Sequence, residues 1–287
     1  MQDQMKTVFL LVLLSAIFLG LGYAIGGQQG VMMAFVMSLV MNVGSYLLSD
    51  KIVLGMHKAK ELPADHKVTG MVRDLAARAG IPMPKVYWIP ELSPNAFATG
   101  RDPQHAAVAV TEGITRILND RELKGVLAHE LGHVQNRDIL ISTIVATLAS
   151  AIMYLAHMLQ WGMMARGGRD NDRGGLNPIV MLAAVILAPI APSLVQFAVS
   201  RSREYLADET GARIAGDPEG LAAALEKISN PALVREFQKA DLLPDMQPAV
   251  SHLYIVNHFS RQSALALFST HPPVAERVRR LRQMRNV

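Results

Sequence analysis

"LAHELGHVQNRD", residues 127–138, holds two histidines four positions apart with a glutamate directly after the first. On an α-helix, His129 and His133 project from one face, one turn apart. Both imidazoles then reach a single metal ion at roughly 2.0–2.1 Å. Glu130 lies about 100° around the helix from His129, beside such an ion rather than on it. There it can hold a water molecule and take its proton, the working part of the H-E-x-x-H pattern of metalloproteases. Chance would place this pattern in a chain of this composition about 1% of the time, and the surroundings argue further against it. Upstream, Asn119 followed by Glu122 predicts a capping box that starts the helix. Downstream, no breaker precedes the apolar run at 139–161. The spacing therefore predicts one helix passing from the metal site into a membrane span.

That run is one of four, at 7–26, 31–49, 139–161 and 178–200. Each is close to the roughly 20 residues that cross a hydrocarbon core of ~30 Å. They explain a composition that is 51% hydrophobic and 18% charged, with mean hydropathy +0.23, too apolar for an ordinary soluble enzyme of 287 residues. The first run is too long for a signal peptide and a second follows almost at once, so it reads as a retained anchor. A net charge of +4, with no lysine-rich tail or aromatic-basic stripe, excludes nucleic acid as a partner. The absence of cysteine excludes a disulfide framework and thiol chemistry. A metal site must then be built from His, Asp and Glu.

Lysine and arginine set the orientation. Lys51, Lys58 and Lys60 follow the second run, Arg121, Lys124 and Arg137 precede the third, and Arg201 and Arg203 follow the fourth. The turn "GQQG" (27–30) has none. Residues 50–138 and 201–287 are thus expected in the cytoplasm. The loop 162–175 runs against this pattern with Arg166, Arg169 and Arg173: either it is translocated regardless, the favoured reading, or the third and fourth runs form a hairpin that does not fully cross. Four parts result: a membrane hairpin at 1–50, a polar block at 51–138 with the H-E-x-x-H helix, a second hairpin at 139–200, and a second polar block at 201–287.

In the first polar block, 65–80 has apolar residues at helical spacing and ends on glycine. "PKVYWIP" (84–90), "NAFATG" (95–100) and "AAVAVTEG" (106–113) read as short strands. In the second, a helix runs from 201 to about Gly216. Another follows, with Asp217 as N-cap and Pro218 at its first position. Residues 231–260 read as irregularly helical, and "STHPPVAERVRRLRQM" closes the chain with a proline-started basic helix. The fold class is a mainly α membrane protein, with four transmembrane helices and an α+β cytoplasmic catalytic domain carrying a small sheet.

A catalytic zinc takes three protein ligands and keeps one position open. Glu204 is the best third candidate, because its helix leaves the fourth run much as that of His133 enters the third. If those runs are antiparallel neighbours, both residues stand roughly 6–9 Å above the membrane boundary. The competing reading is a surface carboxylate paired with Arg201 or Arg203. Asp208, one turn on, either orients a ligand histidine through its second nitrogen or is a solvated charge. Histidines 57, 66, 105, 157, 252 and 258 have no partner spacing. His157 reads as an intramembrane packing residue.

"HELGHVQNRD" (129–138), "SRSREYLAD" (200–208) and "STHPPVAERV" (269–278) together resemble the HtpX-type heat-shock membrane zinc proteases, gluzincins grouped with the CAAX prenyl proteases. The four runs and "NAFATG" fit the same family, so the resemblance covers essentially the whole chain. It implies a zincin-like catalytic domain holding one Zn2+ per chain on His129, His133 and Glu204, with Glu130 as general base. It also implies that Asn95–Ala98 is an exposed sheet edge to which substrate adds as a strand, with Asn95 as a substrate contact; the competing reading is an ordinary buried strand, which is favoured for Phe97. His271 and Arg277 are placed near the active site. His271 would donate to the oxyanion or else simply cap the last helix, and Arg277 would pair with a carboxylate such as Asp208.

The implied activity is zinc-dependent hydrolysis of peptide bonds at the cytoplasmic face of the bacterial inner membrane. Membrane proteins or unfolded polypeptides are the substrates, the lipid bilayer is the other partner, and quality control is the task; nothing in the sequence specifies an oligomer. Asn136, Arg137 and Asp138 argue against a site buried within the bilayer. A prenyl-protein processing protease is the closer rival. A non-enzymatic scaffold with a structural metal would need a fourth protein ligand.

Overall fold

The structure is a computed structural model that describes residues 2–140, 142–144, 201–230, 233 and 272–284. Nearly all of the third and fourth apolar runs, the loop 162–175, most of 231–260, and His157, His252, His258 and His271 lie outside the described residues.

Helix α1 spans Gln2–Met56 and contains both of the first two apolar runs. A hairpin of two separate helices is expected there; the structure instead carries helix through the 27–30 turn. Gly27, the first residue of that turn, takes φ 56, the left-handed conformation in which helices commonly terminate. Among the described residues no helix is long and apolar enough to cross a membrane. The second half of α1 exposes Met32, Met33, Phe35, Val36, Met37, Leu39, Val40 and Val43.

After α1 come β1 (Lys60–Glu61), α2 (Lys67–Ala79), β2 (Lys85–Ile89), β3 (Ala96–Thr99), β4 (Ala107–Thr111), α3 (Glu112–Ile117) and α4 (Asp120–Gln135). The later described segments supply α5 (Arg201–Ala215), α6 (Pro218–Ile228) and α7 (Val274–Gln283). Helix α2 starts where His66 accepts the Val68 N–H and stops at Gly80, which takes φ 65. Asn119 and Glu122 form the reciprocal capping box at the start of α4, and Asp217 caps α6 by accepting the Gly220 N–H.

The sheet runs in the order β1-β2-β4-β3. β2 and β4 are parallel, whereas β1 and β3 join as antiparallel edges. β4 is central and buried at every position, as a strand covered on both faces must be. Val108 and Val110 face the main core of α2, α4, α5, α6 and α7. Ala107 and Ala109 face the other way, packing with Ile89 and Phe97 against Val53 and Leu54 at the end of α1. The long N-terminal helix is thus rooted in the back of the sheet.

Helix α4 is the axis of the main core, with Val126, Leu127, Ala128, Leu131 and Val134 at zero exposure. It lies against α5 at backbone distance. A methyl group added at Gly211 would fall 2.7 Å from both N and Cα of His129, and one at Gly132 would fall 2.9 Å from the Ala207 carbonyl oxygen.

The expected unbroken passage from α4 into the third apolar run is not found. α4 stops at Gln135, Asn136 closes it, and Arg137 takes φ 60 before helical geometry resumes at Ile139. A non-glycine residue at positive φ cannot propagate a right-handed helix. The chain therefore turns an elbow between the H-E-x-x-H helix and the next segment.

Candidate metal centre

The close approach of α4 and α5 decides the geometry of the site. His129 (2% exposed) and Glu130 (5%) are buried on α4, while Glu204 and Asp208 are buried one turn apart on α5. The His129 and His133 rings meet edge to face, and their Nε2 atoms are 3.2 Å apart. Glu204 Oε2 lies 3.8 Å from His129 Nε2, and its Oε1 lies 3.7 Å from His133 Nε2. Four ligands set tetrahedrally at roughly 2.0–2.1 Å from an ion are about 3.4 Å from one another. The two nitrogens and the Glu204 carboxylate, which turns one oxygen to each of them, converge at 3.2–3.8 Å, and the trio can hold a metal ion. Two imidazoles and a carboxylate suit a divalent ion of intermediate softness, with one position left for water or substrate.

Each histidine turns its other nitrogen to a carboxylate. His129 Nδ1 is 3.0 Å from Asp208 Oδ1, and His133 Nδ1 is 3.1 Å from both oxygens of Asp138. Arg277 on α7, fully buried, donates from Nε (2.8 Å) and Nη2 (2.7 Å) to the two oxygens of Asp208. Its Nη1 lies 3.5 Å from Glu204 Oε2.

The charges account for the titration of the group. Burial works against the carboxylate of Asp208, but the Arg277 guanidinium and His129 hold its carboxyl below the usual range. Burial raises that of Glu130, against the pull of His129 and His133. His133 is raised to about 10, because Asp138, Glu204 and Glu130 outweigh the burial that favours the neutral ring. Arg277 is raised further above its ordinary range, as Asp208, Glu204 and Glu130 outweigh its own burial.

Glu130 sits between the His129–His133–Glu204 trio and the sheet. Its Oε2 accepts the backbone N–H of Ala98 at 2.9 Å. β3 is an edge strand, as expected, but all four of its residues are buried. The backbones of Asn95, Phe97 and Thr99 turn to β4; those of Ala96 and Ala98 turn to the free edge. Asn95, 1% exposed, exchanges backbone contacts with Thr111: its carbonyl accepts the Thr111 N–H (2.9 Å) and its N–H donates to Thr111 Oγ1 (2.8 Å). Phe97 packs behind the sheet with its ring 5.5 Å from that of His57.

Of the residues singled out from the sequence, His129, His133, Glu130, Glu204, Asp208 and Arg277 come together here; Asn95 stands at the start of β3 and His271 lies outside the described residues. Sequence reasoning missed Asp138. Its signal was an acidic residue just past the second histidine, which an unbroken helix would have aimed elsewhere.

Two histidines and a glutamate that can hold a metal, set on two helices with the buried carboxyl of Glu130 beside them, are a donor set suited to hydrolysis rather than to bracing a fold. The class of protein defined here is the metallopeptidases. Residues 63–285 match the model of Peptidase family M48, and the chain belongs to that family. It is 53% identical to a protein named "Protease HtpX homolog" from Syntrophobacter fumaroxidans, across 99% of this chain and 100% of that one. A second "Protease HtpX homolog", from Pyrococcus furiosus, is 49% identical across 97% of this chain and 95% of the relative. Among solved structures, the crystal structure of S. mikatae Ste24p aligns with a TM-score of 0.47 and 22% identity, covering 98% of this chain and 65% of the Ste24p chain.

Proposed function

We propose that the protein is a zinc-dependent endopeptidase of the inner membrane, with one Zn2+ per chain held by His129, His133 and Glu204 and its catalytic domain facing the cytoplasm. The observation that carries the reading is the convergence of those three ligand atoms beside Glu130. A bound zinc ion supplies Lewis acidity toward the scissile carbonyl and toward a water molecule. Glu130 takes the proton of the attacking water and delivers it to the leaving amine; its burial raises its proton affinity and so suits it to that transfer. Asp208 orients the His129 imidazole, and Arg277 offsets the buried negative charge of Glu204 and Asp208. The substrate lies extended along the free edge of β3, where the Ala96 and Ala98 backbones face the site. His271 donates to the developing oxyanion, and Asn95 flanks the substrate strand.

The membrane placement rests on the four apolar runs and on the lysines and arginines of 50–138 and 201–203 that flank them, against which only the loop 162–175 runs. The exposed apolar surface of α1, rooted in the sheet through Val53 and Leu54, supports it. Membrane proteins with cytosolic segments and unfolded polypeptides are the substrates, and their removal is a quality-control task.

The test is cleavage of casein in detergent by the zinc-loaded protein, by the same protein with chelator, and by Glu130→Ala. Cleavage is expected in the first alone. Glu130→Ala should keep its zinc, whereas Glu204→Ala should bind it far more weakly. Loss of zinc from Glu130→Ala, or a full complement at wild-type affinity in Glu204→Ala, would overturn the assignment.

A further inference from the structure

The elbow after α4 returns the chain to His133 twice. The Asp138 N–H donates to the His133 carbonyl at 3.2 Å, and the Asp138 carboxylate meets His133 Nδ1 with both oxygens at 3.1 Å. A helix continued past Gln135 would have carried position 138 more than one turn beyond His133 and off its face. The left-handed Arg137 brings it back. Asp138 is 4% exposed, so its charge is not there for solubility.

The next turn of chain holds Asp138 in place. Ile139, 2% exposed, enters the main core. One turn on, Thr143 donates to the Ile139 carbonyl (2.7 Å), lies 3.1 Å from Thr99 Oγ1 and accepts the Gly100 N–H (3.3 Å). The carboxylate is thus braced from the core on one side and from the end of β3 on the other. It faces a ring whose other nitrogen points at His129 and Glu204.

We propose that Asp138 is the positioning residue of the second metal-binding histidine. Its oxygens accept the Nδ1 proton of His133, fix the tautomer that leaves the Nε2 lone pair free, and hold the ring plane toward the metal. The inference rests on the metal reading above. His129 is served by a different element, α5 with its Asp208, so the two imidazoles are oriented independently, one from each side of the site.

The test uses the full chain in detergent, stripped of metal. Zn2+ affinity is measured by competition with a chromophoric chelator, and the visible absorption of the Co2+-loaded protein is recorded. Asp138→Ala should bind Zn2+ about 10- to 100-fold more weakly and alter the Co2+ spectrum. Asp138→Asn, which keeps an acceptor oxygen, should recover most of the affinity. Arg121→Ala, which loosens the far end of α4 by removing an exposed contact to Asp217, controls for a general structural effect and should bind as wild type does. Wild-type affinity and spectrum in Asp138→Ala would overturn the proposal. So would an Asp138→Asn as weak as Asp138→Ala, or an equal loss in Arg121→Ala. A wild-type chain that binds no zinc would instead sink the metal reading itself, so the two failures are distinguishable.

Discussion

Arg277 heads the largest side chains that the described residues bury completely. Its guanidinium grips both oxygens of Asp208 and approaches Glu204, so its removal strands two carboxylates in the core. Arg277→Met should therefore destabilise the metal-free protein by about 3–5 kcal/mol, because the charges left behind lose their partner. Chemical denaturation of the detergent-solubilised protein checks this, and a loss below about 1 kcal/mol would contradict it. At this scale much was legible in the sequence. His129, Glu130 and His133 form a local pattern, and Glu204 with Asp208 repeats the one-turn spacing on a second helix. Asp138 was not legible, since its contact depends on a backbone turn at Arg137 that no residue type announces: arginine is an ordinary helix former, and positive φ is rare for it.

At the scale of elements, the glycines of α4 and α5 set how closely the two helices approach. Gly211→Ala would drive a methyl into the backbone of His129 and force them apart. The expected cost is about 1–3 kcal/mol, with weaker metal binding, since Glu204 moves away with α5. Gly70, within α2, has nothing within 4 Å of a methyl at that position. Gly70→Ala should instead stabilise by roughly 0.5–1 kcal/mol through helix propensity, leaving metal affinity unchanged. Thermal melts and chelator competition on the pair separate packing from propensity. The capped or glycine-stopped helices α2, α4 and α6 and the three short strands β2, β3 and β4 could be read from the sequence, because each is bounded by its own cap or turn residues. β1 and α3 could not. β1 is two exposed charged residues, Lys60 and Glu61, held by pairing with Trp88 and Tyr87 and by the contact of Glu61 with Lys85, none of which is local in sequence. α3 is a six-residue helix too short for a periodicity to show.

At the scale of the whole molecule, the core joins stretches that are far apart in sequence. Arg121 on α4 donates to Asp217, the N-cap of α6, from Nε (2.5 Å) and Nη2 (2.8 Å), and Lys227 reaches back to Glu122 (3.0 Å). The Arg121 contact holds the Asp217 carboxyl below its ordinary range. A carboxyl lowered on folding stabilises the protein above its unfolded value and loses that contribution as the pH falls through the folded one. Stability should therefore decline below about pH 4, and Asp217→Asn should flatten that acid limb while costing stability at neutral pH. Denaturant midpoints from pH 3 to 7 for both proteins check it. The same joining has a consequence for how the enzyme comes into being. During synthesis the ribosome delivers His129, Glu130 and His133 first, Glu204 some seventy residues later, and Arg277 after another seventy. A nascent chain that has reached α5 holds every proposed ligand but leaves Glu204 and Asp208 without the Arg277 guanidinium. The buried carboxylates of α5 thus gain that partner only when the closing helix docks, so the last stretch of chain to be made completes the charge pairing of an earlier one.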